Sequence, residues 1–183
     1  ENYYITKMCT WVEEDQLKKI IERAEKISPN LIGKVAPEFI DVYNRPFMKD
    51  LNGKTHTIQS VKADHTLLIF YGPGCGHCKT EIPKIKKTLD SLINLNYDIK
   101  TFAVATEFDV DEWKKFIKEQ KTESWINVAD ISHDKEGNPL ASSDWRDKYD
   151  IYSTPVVYLL DKEKKIVAKR ITHNQFADII TRK

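Results

Sequence analysis

The chain has 183 residues, 40% hydrophobic and 31% charged, a balance that suits one globular core and excludes disordered and collagenous classes. Its longest apolar run, Leu67 to Tyr71, is far below the roughly 20 residues of a membrane helix, so no transmembrane segment is expected. With 29 basic against 28 acidic side chains the net charge is +1, which gives no electrostatic reason to expect a nucleic-acid partner, and Lys162, Lys164 and Lys165 read as a solvated turn.

In chain order, Leu17, Ile20, Ile21, Ala24 and Ile27 recur at helical spacing between Asp15 and Pro29, predicting an amphipathic helix. Pro29, Gly33 and Pro37 break that pattern, so a boundary is placed near Asn30: residues 1–30 form a helical extension and 31–183 the main domain. Leu51-Asn52-Gly53-Lys54 carries the Asn-Gly pair of a tight hairpin turn. Thr66 to Tyr71 is apolar on both faces, as a buried central strand requires, and runs into Gly72-Pro73-Gly74. Ile82, Ile85, Leu89, Leu92 and Ile93 then mark a helix of about four turns, in which Pro83 is expected to kink rather than end the pattern. A second buried strand is expected over Ile99 to Ala105. Asp109 and Glu112 stand at capping-box spacing before a helix with Trp113, Phe116 and Ile117 inward. Trp125 to Ala129 reads as a short strand and Ser143 to Tyr149 as a short helix. Val156 to Leu160 and Lys165 to Lys169 read as strands about a charged turn, and Phe176, Ile179 and Ile180 mark a closing helix. Strands alternating with helices define an α/β domain with a mixed sheet.

The chemistry lies at Cys75-Gly76-His77-Cys78. A C-x-x-C segment between a strand and a helix reads as a redox pair. At a helix N-terminus the Cys75 sulfur meets free backbone N–H groups and the positive end of the macrodipole, which favour thiolate over thiol. Such sites reach pKa values of roughly 3.5 to 7.5, against about 8.5 for a free cysteine. Cys78, one turn inward, is the natural resolving thiol. An imidazolium at His77 would stabilise the Cys75 thiolate and so the reduced state, giving a more oxidising couple; the plainer alternative is a solvent-facing histidine at a helix start. A zinc site normally needs four protein ligands, and the chain has no second cysteine pair and no H-x-x-x-H segment. Covalent haem attachment needs histidine where Lys79 stands. A structural disulfide closing so small a loop would constrain the unfolded chain little. No metal or other cofactor is therefore expected. Cys9, beside Met8 and Trp11, reads as a buried, inert cysteine rather than a third redox partner.

With these residues in place, the sequence resembles thioredoxin-like proteins, and within them the TlpA/ResA type of thiol:disulfide oxidoreductase in the AhpC/TSA–thioredoxin superfamily. The resemblance rests on Gly33-Lys34-Val35-Ala36-Pro37-Glu38-Phe39, like that family's opening strand, on Phe70 to Lys79, on Glu81-Ile82-Pro83, and on Ser153-Thr154-Pro155-Val156-Val157-Tyr158-Leu159-Leu160-Asp161. It implies a thioredoxin-like fold with Pro155 as a cis-proline beside the dithiol, Thr154 offering backbone groups to an extended substrate peptide, and Tyr71 at the usual aromatic position of the active-site loop, the three together forming the expected substrate-binding set. Where thioredoxin itself holds a buried acid the chain has Ile69; Glu81 is a candidate substitute, although a helix residue in that place is more often solvated. The first thirty residues lie outside the resemblance and look like the tail of the helical region that precedes the redox domain in some Bacteroidetes-like members.

The resemblance further implies disulfide-containing protein substrates, an upstream thiol electron donor such as a membrane thiol relay, and a periplasmic or cell-envelope location. Glu1-Asn2-Tyr3-Tyr4 has neither a basic nor an apolar leader character, so a targeting segment is expected to have been removed. A peroxiredoxin-type peroxidase is a competing reading, but peroxiredoxins place a threonine three residues before the reactive cysteine, where Gly72 stands here. A non-catalytic binding module on the same fold is the third.

Overall fold

In the computed structural model, residues 13–41, 43–107, 109–131 and 145–182 are described. Cys9 and its neighbours, and the first two residues of the helix expected over 143–149, lie outside them.

Helix α1 spans Glu14–Ile27, as its periodicity predicts. None of its residues is fully buried: Leu17, Ile21, Ala24 and Ile27 are half-buried and Ile20 is exposed. Polar contacts tether it to the rest of the chain. Arg23 Nη2 lies 2.9 Å from Asp150 Oδ1. The buried Asn30 that follows donates to the Lys148 carbonyl and accepts from Lys169 Nζ at 2.8 Å.

The opening strand expected over 33–39 is reduced to a single antiparallel bridge, Val35 with Lys165. Gly33 and Ala36 donate to the carbonyls of Ile166 and Lys164, and Ile166 donates back to Lys34. Pro37 has no N–H to continue such a ladder. The backbone instead turns around Glu38, whose carboxylate accepts from the amides of Phe39, Ile58 and Gln59, and delivers Phe39 into the core. At the Asn-Gly turn Gly53 sits at φ 78°, and Lys49 bridges to Thr55 across it.

The sheet comprises β1 (His65–Tyr71), β2 (Ile99–Ala105), β3 (Ile126–Ala129), β4 (Val156–Leu160) and β5 (Ile166–Lys169), in the order β3-β2-β1-β4-β5. Strands β1, β2 and β3 run parallel, and β4 and β5 complete the sheet antiparallel. The helices are α2 (Gly76–Asn94), α3 (Val110–Glu119), α4 (Trp145–Lys148) and α5 (His173–Thr181). Pro83 lies inside α2, and the helix runs on to Asn94; Ile93, counted with the inward stripe, is 43% exposed because it falls off the face carrying Ile85, Leu89 and Leu92.

Strand alternation splits the core in two. Leu67, Ile69 and Tyr71 face α2, α3 and α5, packing with Ile82, Trp113, Phe116 and Phe176. Leu68 and Phe70 face the other way, toward Phe39, Met48, Trp145 and Tyr149. The turn between β4 and β5 is not wholly solvated as expected. Lys164 adopts φ 62°, is buried, and donates from Nζ to Thr66 Oγ1 at 2.9 Å; a long side chain thrown back over the sheet buries its stem.

Candidate dithiol site

Strand β1 ends at Tyr71, whose carbonyl is held by the amide and hydroxyl of Thr106 at the end of β2. The chain then turns through Gly72-Pro73-Gly74, closed by Cys75 N–H donating to the Gly72 carbonyl at 3.1 Å. Cys75 is the N-cap of α2, and its Sγ accepts from the Cys78 amide at 3.4 Å. This is the local geometry that a strand, a glycine-flanked turn and a helix start impose on a C-x-x-C pair.

Both cysteines are free thiols, Cys75 half-buried and Cys78 fully buried. Burial pushes the Cys75 thiol up, but the Cys78 amide, then the Thr154 and Cys78 side chains and the His77 amide, pull it down, and the net displacement is below the ordinary cysteine value. Sγ of Cys75 also reaches the Thr154 carbonyl at 3.6 Å, a contact made by donation in the thiol form. Burial dominates at Cys78 and pushes its thiol up to about 11, against the weaker help of Thr154 and of the Gly72 amide, which donates to its Sγ at 3.5 Å. One sulfur is thus prepared to ionise in reach of solvent and the other is held protonated beneath it.

The structure brings Thr154, 79 residues along the chain, against Cys75, and Pro155 into the groove beside His77. The Thr154–Pro155 peptide bond is cis. His77 is exposed and lines a groove of about 200 Å³ with Glu81, Pro155, Arg170 and His173. Glu81 is engaged by Lys84 at 2.8 Å, a contact that, with the Coulombic pull of Lys84 and of His77 and His173 against slight burial, lowers its carboxyl.

Tyr71 does not take the substrate-contacting place expected of it. It is 1% exposed, its ring stacks on Phe116 with centroids 4.9 Å apart, and its hydroxyl accepts from Trp113 Nε1 at 2.8 Å and donates to Asn127 at 3.2 Å. The reason is alternation: Tyr71 shares the inward face of β1 with Leu67 and Ile69, so it supports Cys78 from below.

Sequence reading did not find Glu107. Its Oε2 accepts from the Gly74 amide at 2.7 Å, from a loop 33 residues away in sequence. The only local trace is the pair of glycines: a Cβ at Gly72 would stand 2.2 Å from Glu107 Oε1.

A parallel β1-β2-β3 core, an antiparallel β4-β5 hairpin and a dithiol at the head of α2 define a thioredoxin-like fold of the thiol-disulfide oxidoreductase kind. The AhpC/TSA family model matches residues 32–169, and the chain belongs to that family. Among solved structures it is similar to a domain of a possible thiol-disulfide isomerase from Cytophaga hutchinsonii, at 36% identity and a TM-score of 0.65 over 82% of this chain and 90% of that one. It is also similar to a thiol:disulfide interchange protein from Bacteroides, at 27% identity and a TM-score of 0.63 over 82% and 88%. A thioredoxin-like protein of Haemophilus influenzae is 26% identical over 131 residues, 71% of this chain and 67% of that protein.

Proposed function

We propose that the chain is a thiol:disulfide oxidoreductase that reduces or exchanges disulfides of partner proteins through Cys75 and Cys78. The observation that carries this reading is the split environment of the two sulfurs, one accessible and lowered, the other buried and raised. The Cys75 thiolate attacks one sulfur of a substrate disulfide, forms a mixed disulfide and expels the other substrate sulfur as a thiolate. Cys78 then loses its proton and attacks Cys75 Sγ, releasing the second substrate thiol and leaving a Cys75–Cys78 disulfide. Two electrons pass to the substrate, so turnover needs a thiol donor. Thr154, whose carbonyl meets the attacking Cys75 sulfur, and Pro155, which lines the adjoining groove with His77, are assigned to substrate binding. His77, at the groove beside Cys75, is assigned to stabilising its thiolate.

The redox unit in this reading is residues 31–183, consistent with a family match that begins at residue 32, and residues 1–30 are accessory. The family resemblance supports a periplasmic or envelope location with electrons supplied by a membrane thiol relay; no described helix is long and apolar enough to cross a membrane.

The test is equilibration with glutathione buffers, followed by tryptophan fluorescence or thiol alkylation, together with the alkylation rate of Cys75 at neutral pH. A reversible two-electron couple with Cys75 alkylated faster than Cys78 is expected. No reversible couple would leave a non-catalytic binding module as the better reading.

A further inference from the structure

Above the dithiol turn lies a carboxylate that no motif marks. Gly72 is the residue through which both cysteines are held, since its carbonyl accepts from Cys75 N–H and its amide donates to Cys78 Sγ. Glu107, in the loop between β2 and α3, grips the same turn by accepting from Gly74 N–H at 2.7 Å. The fit is close on both sides. A Cβ at Gly72 would meet Glu107 Oε1 at 2.2 Å and Cys75 Cβ at 3.2 Å, and one at Gly74 would meet Glu107 Oε2 at 3.0 Å. Glycines at 72 and 74 therefore leave the space that the carboxylate occupies.

We propose that Glu107 is a positioning residue of the dithiol, anchoring the Gly72–Gly74 turn while its negative charge opposes charge on Cys75. The proposal rests on the redox reading above. Its physical basis is competition for one positive potential: a carboxylate near the start of α2 interacts with the macrodipole that favours the thiolate, and repels the thiolate directly. Among the described residues, the charged and titratable groups near Cys75 include His77, Cys78 and Lys79 on α2, and Glu107 with Glu112, whose carboxylate oxygens would each lie 3.4 Å from a Cβ at Gly74, on the β2–α3 side. Arg146 interacts electrostatically with Glu107 and donates to the neighbouring Thr106 carbonyl, so a cation partly offsets the acid from α4. With its charge in place Glu107 disfavours the reduced dithiol and makes the couple more reducing than the helix start and His77 alone would make it.

Glu107→Gln separates the two roles, because the amide oxygen can still accept from Gly74 while the charge is gone. In the complete chain, the glutathione equilibrium of Glu107→Gln is expected to move toward the dithiol by about threefold to tenfold, the upper end being about 30 mV, with the thiolate absorbance of Cys75 titrating at lower pH than in wild type. Glu107→Asp, which keeps the charge, should stay nearer wild type than Gln, and a purely structural role would not produce that ranking. The proposal is overturned if wild type and Glu107→Gln have coincident potentials and coincident thiolate titrations. Absence of a reversible couple in wild type itself would instead remove the redox reading and this inference with it.

Discussion

Cys75 and Cys78 lie one helical turn apart, yet the amide contacts that welcome charge at the first outweigh burial there, while at the second burial in the core outweighs the single Gly72 amide. The difference has a thermodynamic consequence. Burial raises the Cys78 thiol to about 11, above its ordinary value, so between the two the unfolded chain has released a proton that the folded protein keeps. The unfolded state then binds fewer protons, and stability falls as pH rises through that window. Denaturant unfolding of the reduced protein from pH 8 to 11 should show a fall in Cys78→Ala that is smaller than in wild type by on the order of 2 kcal/mol. Parallel pH profiles for the two proteins would count against a raised Cys78. Cys75, with its thiol lowered, contributes in the opposite sense and is present in both proteins. Tyr71 belongs to the same scale: its place after an apolar run was readable, but its direction follows from strand alternation, which aims it at Trp113 and Phe116.

Helix α3 shows how a local signal and a tertiary role combine in one element. The Asp109 side chain caps it, accepting from the amides of Asp111 and Glu112 at 3.0 and 2.9 Å. Asp109→Ala is expected to cost about 1 kcal/mol, read as a lowered thermal midpoint. Because α3 carries Trp113, whose indole holds the Tyr71 hydroxyl, the same variant should also broaden the near-ultraviolet signal of the buried aromatics. Helix α1 is the contrasting case. Its stripe of apolar residues is legible, but a stripe does not say how completely it will be covered, and here the half-buried stripe is joined by ion pairs from Arg23 to Asp150, an acid that also receives Arg170, and from Lys26 to Asp147. The opening segment fell short of a strand for a reason visible in its own letters: Pro37 interrupts donation just where a second pair would form.

At the scale of the molecule, two half-cores are pressed onto one sheet, and the dithiol belongs to only one of them. Phe39 anchors the other, its ring 5.5 to 6.1 Å from those of Phe70, Phe102, Trp145 and Tyr149. Phe39→Ala should lose about 3–5 kcal/mol by denaturant unfolding. Under native conditions its Cys75 alkylation rate should stay close to wild type, since the sheet separates the two faces; a large change in that rate would show the half-cores to be coupled. What the sequence by itself determined is what short-range spacing encodes: the strand that carries Tyr71 to the turn, the helix that begins at Cys75, the cap at Asp109, and the alternation of strands and helices, because periodicity and capping act over a few residues. That Thr154 meets Cys75 was implied by the family resemblance and by no local spacing, and the tertiary structure alone decided that Lys164 turns inward, that Tyr71 is hidden, and that Glu107 closes over two glycines. Those outcomes depend on which strands become neighbours and on the volume left between them, and neither quantity is carried by any local stretch of the chain.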